Sequence, residues 1–275
     1  MAHDKYSPDQ PRVPGADVIY RPAGNAGEYA PLATNPYSGC SHGCKYCYVP
    51  LATKIDRKVF DTAAVPRAGF IDRLRSDVRR YRKAGICDGH HADQVFITFS
   101  SDPYHPGNLT QTARTIVALI QGGMSFCTLS KGGTRALEFL DFYRPERDAY
   151  AATLTTLDDR FSRKWERNAP LPADRIEALR EFHHRGIFTW VSLEPTLDVD
   201  ASLEIVRATH QFVDLYKIGR ANYLKEITKT TDWRAYCLRM IDVLQRYGSA
   251  HYIKRDLQEF LPVGYSNSLR ISQHH

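Results

Sequence analysis

The sequence predicts an α/β fold, an open or partial (β/α) barrel of mostly parallel strands in a single domain. Three observations lead there. Short β-rich runs alternate with longer helical stretches over most of the 275 residues. The alternation repeats about six or seven times, fewer than a closed eight-unit barrel needs. Polar clusters follow the β-rich runs, where barrels of this kind carry their chemistry.

The elements follow in order. Residues 1–33 are polar, with Pro and Gly throughout, and read as an N-terminal extension; 34–230 read as the barrel; 231–275 read as a helix and strand completing the domain. The stretch "FIDRLRSDVRRYRKAG" carries Ile71, Leu74, Val78 and Tyr81 at three- and four-residue steps, which predicts a helix. The β-rich runs are "DQVFITFS" (93–100), "MSFCTLS" (124–130), "AYAATLTT" (149–156), "GIFTWVSLEP" (186–195), "VDLYKIG" (213–219) and "AHYIKRD" (250–256). Helical stretches lie between them: "TQTARTIVALIQGG", "TRALEFLDFYR", "PADRIEALREFHHRG", "DASLEIVRATHQF" and "TDWRAYCLRMIDVLQRYG". Several end at Gly, which tolerates the left-handed conformation of a helix C-cap. "SSDPYHPGN", "SKGG", "TTLDD", "EPTLD" and "GRANY" follow successive runs and converge on one mouth. Lys131 and Glu194 each abut an apolar strand, which ordinary loop polarity does not explain.

Composition bounds the function. The hydrophobic fraction is 43% and the charged fraction 25%, ordinary for a globular chain. Apolar runs are too short to span a bilayer and the N-terminus has no apolar signal-peptide core, so a cytoplasmic protein without membrane contact is expected. Net charge is +6, with the densest cluster in Arg73 to Lys83. That cluster reads as a solvated helix face, with phosphate contact the minor alternative. Of six cysteines, Cys87, Cys127 and Cys237 are scattered. This is not a secreted disulfide framework.

Cys40, Cys44 and Cys47 fall within "NPYSGCSHGCKYCYVP". Three readings compete: small buried cysteines in a turn; a zinc site completed by His42 or a distant ligand; and a [4Fe–4S] cluster on three thiolates. Zinc usually shows paired knuckles, and here there is one C-x3-C-x2-C without a second pair. A cluster held by three thiolates leaves one iron open to a substrate or cofactor.

C-x3-C-x2-C with an aromatic, Tyr46, before the last cysteine resembles the signature of radical S-adenosylmethionine enzymes. The longer string is similar to the spore photoproduct lyase-like family. The resemblance is strong over residues 34–50 and runs more weakly through "FSSDPYHP" to about residue 220. It implies a partial (β/α)6 TIM-like barrel, in agreement with the element count. It also implies that Cys40, Cys44 and Cys47 hold a [4Fe–4S] cluster, and that S-adenosylmethionine chelates the open iron. One electron then cleaves the cofactor to a 5′-deoxyadenosyl radical, which takes a hydrogen from substrate. A flavodoxin or ferredoxin-type electron donor is implied as partner.

Candidate residues follow. Ser101 and Asp102, with Ser100 adjacent, lie where the family contacts the methionine end of the cofactor. Lys131 matches a lysine that meets the carboxylate. Thr155, Thr156 and Glu194 are candidates for the ribose, the carboxylate or the substrate. Tyr46 and Tyr48 flank Cys47 and are candidates to pack on adenine. Tyr104 and His105 are candidates for hydrogen transfer or substrate contact; Arg220, Asn222 and Lys254 are further pocket candidates. The lyase's hydrogen-donor cysteine lies just upstream of the Ser-Asp pair, where this chain has Phe99 and Ser100. The substrate expected is a nucleic-acid base or nucleotide. The alternatives are a peptide or small molecule, or a non-catalytic nucleic-acid-binding module with a structural zinc or cluster.

Overall fold

The computed structural model describes residues 13–86, 94–107 and 109–267. Cys87, Asp93 at the head of the first β-rich run, and the outermost parts of both terminal segments lie outside the described residues.

The described strands are β1 (Ile19–Tyr20), β2 (Leu32–Thr34), β3 (Tyr37–Ser38), β4 (Val65–Pro66), β5 (Val95–Ile97), β6 (Phe126–Ser130), β7 (Ala149–Thr153), β8 (Phe188–Leu193), β9 (Leu215–Ile218) and β10 (His251–Ile253). One sheet has the order β1-β2-β5-β6-β7-β8-β9-β10, and β3 pairs with β4 apart from it. β1 runs antiparallel to β2; the other neighbours in the large sheet are parallel. β1 and β10 are not paired with each other among the described residues, so the barrel stays open. The six runs expected from the sequence are β5 to β10. β2 adds a further parallel strand; its three residues are too few to show a period of two. The sheet passes through all three sequence segments, with β1 before residue 33 and β10 after residue 231.

The helices Phe70–Lys83, Leu109–Gln121, Pro172–His184, Val199–Thr209 and Trp233–Arg246 occupy the predicted stretches. Asp198 and Asp232 cap the last two by accepting from Ala201 N and Ala235 N. "TRALEFLDFYR" instead forms tight 3-10 turns over Gly133–Phe142. At its start Thr134 donates from N and Oγ1 to Asp174, at 3.1 and 2.7 Å, which competes with a regular helical ladder. On the Phe70–Lys83 helix, Phe70, Leu74, Val78 and Tyr81 are buried while Arg73, Arg75, Arg79, Arg80, Arg82 and Lys83 are exposed. The cation cluster is thus a solvated outer face. Among the described residues no helix is long and apolar enough to cross a membrane.

Alternation along the strands builds the interior. Phe96, Cys127, Ala149, Ala151, Trp190 and Leu215 form an inner apolar layer, while Val95, Ile97, Phe126, Tyr150, Val191 and Tyr216 pack outward against the helices. Following the inner parity toward the C-terminal ends, the side chains turn polar. Phe96 is followed by Thr98, Ala151 by Thr153, and Trp190 by Ser192 and then Glu194. Leu129 is followed by Lys131. All of these upper residues line one cavity.

The N-terminal segment is pinned to this frame. Asp77 is fully buried, and its Oδ2 accepts from Asp17 N, Val18 N and Ile19 N at 2.8, 2.6 and 2.9 Å. A carboxylate holding three backbone donors fixes the approach to β1.

Candidate active site

The cavity at the C-terminal ends of the strands measures about 540 Å³. Its wall includes Cys40, Cys44, Cys47, Tyr46, Tyr48, Ser101, Asp102, Lys131, Glu194, Arg220, Asn222 and Lys254. Most of the residues expected from the strand ends and the cysteine loop therefore lie on this wall.

The cysteine loop is held from several sides. Gly39 has φ +87°, and a Cβ there would lie 2.3 Å from Ala63 O, so only glycine lets the loop pass. Cys40 N donates to Phe60 O at 2.9 Å and Lys45 N to Trp165 O at 2.8 Å. Arg57 donates to the carbonyls of Cys44 and Cys47. Behind the loop, Glu166 pairs with Arg175 at 2.6 Å, with both side chains buried, and accepts from the Tyr46 hydroxyl and from Thr155 Oγ1. Burial pushes all three thiols up, Cys44 to about 12. A bound cation is what would hold them as thiolates. Among the described residues no three His, Cys, Asp or Glu side chains are gathered closely enough to hold a single metal ion.

Asp102 is saturated by protein donors. Oδ1 accepts from Tyr104 N at 2.9 Å and Ser130 Oγ at 2.7 Å; Oδ2 accepts from Lys131 N at 2.7 Å and lies 3.3 Å from His42 Nε2. Burial alone would raise its pKa, but His42 and these donors outweigh burial and hold it well below the usual carboxylate range. The carboxylate thus organises the loops while lining the cavity, where the sequence reading placed it. Lys131 behaves differently. Its Nζ lies over the Tyr46 ring at 5.4 Å and forms no ion pair with a carboxylate among the described residues. Ser101 donates to Gly39 O at 2.6 Å and so also ties the strand end to the cysteine loop.

Glu194 centres a second network. Its Oε2 accepts from the Tyr29 hydroxyl and from Lys254 Nζ at 2.5 Å, and its Oε1 from Asn222 at 3.3 Å. Lys254, a pocket candidate from the sequence, lines the cavity, but it is 1% exposed and already paired with Glu194. Gly219 makes room for this network, since a Cβ there would meet Glu194 Cδ at 2.7 Å. His42, named from the sequence only as a zinc candidate, lines the cavity, as do Tyr29, Thr153 and Ser192, which were missed; strand alternation from Ala151 and Trp190 could have found Thr153 and Ser192.

Five expected residues lie off the wall. Ser100 Oγ donates to Tyr37 O at 2.6 Å. Tyr104 is fully buried, with its hydroxyl bonded to those of Tyr143 and Thr128. His105 is 5% exposed and bonds Ser41 Oγ through Nε2 at 2.6 Å. The loop turns inward there because Asp102 binds the Tyr104 N–H and its carbonyl takes His105 N. Thr155 faces Glu166, and Thr156 Oγ1 accepts from Asp158 N at 3.0 Å. Both follow the end of β7 at Thr153, so strand parity no longer aims them inward. Phe99 lines the cavity and stacks on Phe96 at 4.1 Å; Cys127 and Cys237 lie in the packed core.

Comparisons with known proteins bear on this arrangement. An uncharacterized protein of Acidianus two-tailed virus is 24% identical over 219 residues, 75% of this chain and 72% of that protein. An uncharacterized protein of Mycobacterium tuberculosis (strain ATCC 25618 / H37Rv) is 26% identical over 172 residues, 59% of this chain and 48% of that protein. Among solved structures, spore photoproduct lyase complexed with dinucleoside spore photoproduct superposes with TM-score 0.65 and 11% identity, covering 87% of this chain and 79% of that one. Streptococcus suis SuiB bound to S-adenosylmethionine gives TM-score 0.61 and 11% identity, covering 81% of this chain and 49% of that one. The chain thus spans about half the length of SuiB and of the mycobacterial relative, and the structural likeness is one of fold. The model of the Radical SAM superfamily matches residues 34–213, from the end of β2 to the approach to β9. The match spans more than half of the chain and takes in the three cysteines and the strand ends around the cavity: the chain belongs to the radical SAM superfamily.

Proposed function

We propose that Cys40, Cys44 and Cys47 hold a [4Fe–4S] cluster and that the cavity beside them binds S-adenosylmethionine and a nucleic-acid base or nucleotide. The observation that carries this reading is Lys131. It is a cavity-wall cation without a carboxylate partner among the described residues, in the same cavity as three thiols. Soft thiols are the donor set of an iron–sulfur cluster, and the unpaired ammonium suits the cofactor's carboxylate. When bound, the cluster supplies one electron that splits the sulfonium S–C5′ bond into methionine and a 5′-deoxyadenosyl radical, which removes a hydrogen atom from the substrate. That electron comes from an external one-electron donor of the flavodoxin or ferredoxin type.

The chain's own residues do the rest. Lys131 holds the methionine carboxylate, and the Asp102 bond to its backbone keeps it at the strand end. Tyr46 packs beside it, with its hydroxyl held by Glu166. Glu194, fixed by Tyr29, Asn222 and Lys254, offers its carboxylate edge to hydroxyls of cofactor or substrate. Phe96, Phe99 and Leu129 keep water from the reacting carbon. Among the described residues lining the cavity the cysteines are the three assigned to the cluster, so a hydrogen-donor thiol like the lyase's is absent from this wall. The nucleotide assignment rests on Arg220 at the wall and on the net charge of +6.

Anaerobic reconstitution with iron and sulfide tests the reading. It predicts iron and sulfide bound in equal amounts and an electron paramagnetic resonance signal of the reduced protein that changes on adding S-adenosylmethionine. A colourless protein carrying one zinc contradicts it.

A further inference from the structure

At the rim of the cavity the rings of Tyr48 and Tyr223 are nearly parallel, with planes 18° apart and centroids 6.4 Å apart. Both line the cavity, yet they are 40% and 70% exposed. That separation is within the range of an offset aromatic pair, and the exposure of both rings, Tyr223 above all, leaves ring face open to solvent at the mouth. Tyr223 has φ +66°, in the left-handed region that a bulky residue rarely adopts. Its neighbour Asn222 pins that turn by donating to Asp256 Oδ2 at 2.6 Å and Glu194 Oε1 at 3.3 Å. The strained turn is therefore held from within the cavity and presents an aromatic face at its mouth. Arg220, on the same turn, lines the cavity; its Nε has no hydrogen-bond partner, and the carboxylate it approaches is that of exposed Glu259 at 3.7 Å.

We infer that Tyr48 and Tyr223 form a stacking site for a purine or pyrimidine base at the cavity mouth, with Arg220 placed to take the attached phosphate. The inference rests on the proposed function, because it names the substrate class of that same site. A base offers two flat faces to aromatic rings, and a nucleotide brings a phosphate that Arg220, paired only at 3.7 Å with exposed Glu259, can take in exchange. A peptide's aromatic side chain brings a ring but no anion. Of the two tyrosines expected to pack on the cofactor's adenine, half-buried Tyr46 beside Lys131 keeps that role, and the more exposed Tyr48 faces the substrate base.

Equilibrium dialysis tests it. Reconstituted protein, saturated with S-adenosylmethionine so that its adenine site is filled, is dialysed against each 2′-deoxynucleoside 5′-monophosphate and its parent nucleoside. At least one monophosphate binds the wild type. Tyr223→Ala weakens that binding about tenfold, and Tyr223→Phe, which keeps the ring, restores it. Arg220→Gln weakens the monophosphate and leaves the nucleoside unchanged. Equal affinity of wild type and Tyr223→Ala overturns the inference, as does no binding of any monophosphate, or binding of a tryptophan-bearing peptide in their place. The proposed function is judged apart, by 5′-deoxyadenosine formation in the wild type without nucleotide. Cleavage without nucleotide binding removes the inference and the nucleotide assignment and leaves the radical reading standing; nucleotide binding without cleavage supports the stacking site and removes the radical reading.

Discussion

Asp102 accepts a 2.7 Å hydrogen bond from the backbone N–H of Lys131, which joins the loop after β5 to the loop after β6. The same carboxylate faces His42 in the cysteine loop at 3.3 Å. One buried anion thereby sets the cysteines and the cavity cation relative to each other.

Asp102→Ala leaves Lys131 N, Tyr104 N and the Ser130 hydroxyl without their acceptor. A loss of about 2–4 kcal/mol of stability is expected, together with at least tenfold weaker S-adenosylmethionine binding. Denaturant melts and equilibrium binding measure the two effects.

Arg175→Met strands Glu166, which is buried behind the cysteine loop. Losing one partner of a buried pair costs about 3–5 kcal/mol. Iron retained per chain after desalting should fall with it, since the Tyr46 hydroxyl bonds Glu166 and Cys44 pairs with it through an isolated backbone bridge.

Asp77→Ala removes the acceptor of three backbone N–H groups far from the cavity. A loss of about 2–4 kcal/mol is expected. Limited proteolysis should then cut between residues 13 and 30 faster than in the wild type.

Lys217 is buried, donates to Glu28 O and Tyr29 O at 3.1 and 2.7 Å, and lies 4.7 Å from the Trp190 ring. Burial pulls its ammonium down to about 8 from 10.5. The unfolded chain therefore binds more protons between those two values, and stability gained from this group rises with pH across that window. The cost of charging it is fully present below pH 8, amounts to roughly 3 kcal/mol, and fades toward 10.5. The stability of the wild type relative to Lys217→Met should rise from pH 8 to 10 and stay flat from pH 6 to 7. A flat difference throughout would refute the assignment.

Legibility in the sequence followed the strand period. Lys131 and Glu194 were legible because each abuts an apolar strand, and both continue the inner parity of β6 and β8 by one step beyond the last strand residue. Thr155 and Thr156 were misplaced because β7 ends at Thr153 and the chain turns before parity can act. Tyr104 and His105 were misplaced because the Asp102 side chain turns the chain locally by binding Tyr104 N, while Ser130 and Lys131 N hold that carboxylate in the core, contacts without a local signal. Glu166 and Arg175 support the cysteine loop from more than a hundred residues away, and Tyr29 reaches Glu194 across the sheet. β2 escaped notice because three residues show no alternation.

The most direct measurement is 5′-deoxyadenosine formed from S-adenosylmethionine by the reconstituted, chemically reduced protein, quantified by chromatography beside Cys44→Ala. The wild type should yield 5′-deoxyadenosine and methionine in equal amounts, with none from Cys44→Ala. Equal yields from the two proteins, or no cleavage by a wild type that carries its full iron and sulfide, would contradict the account.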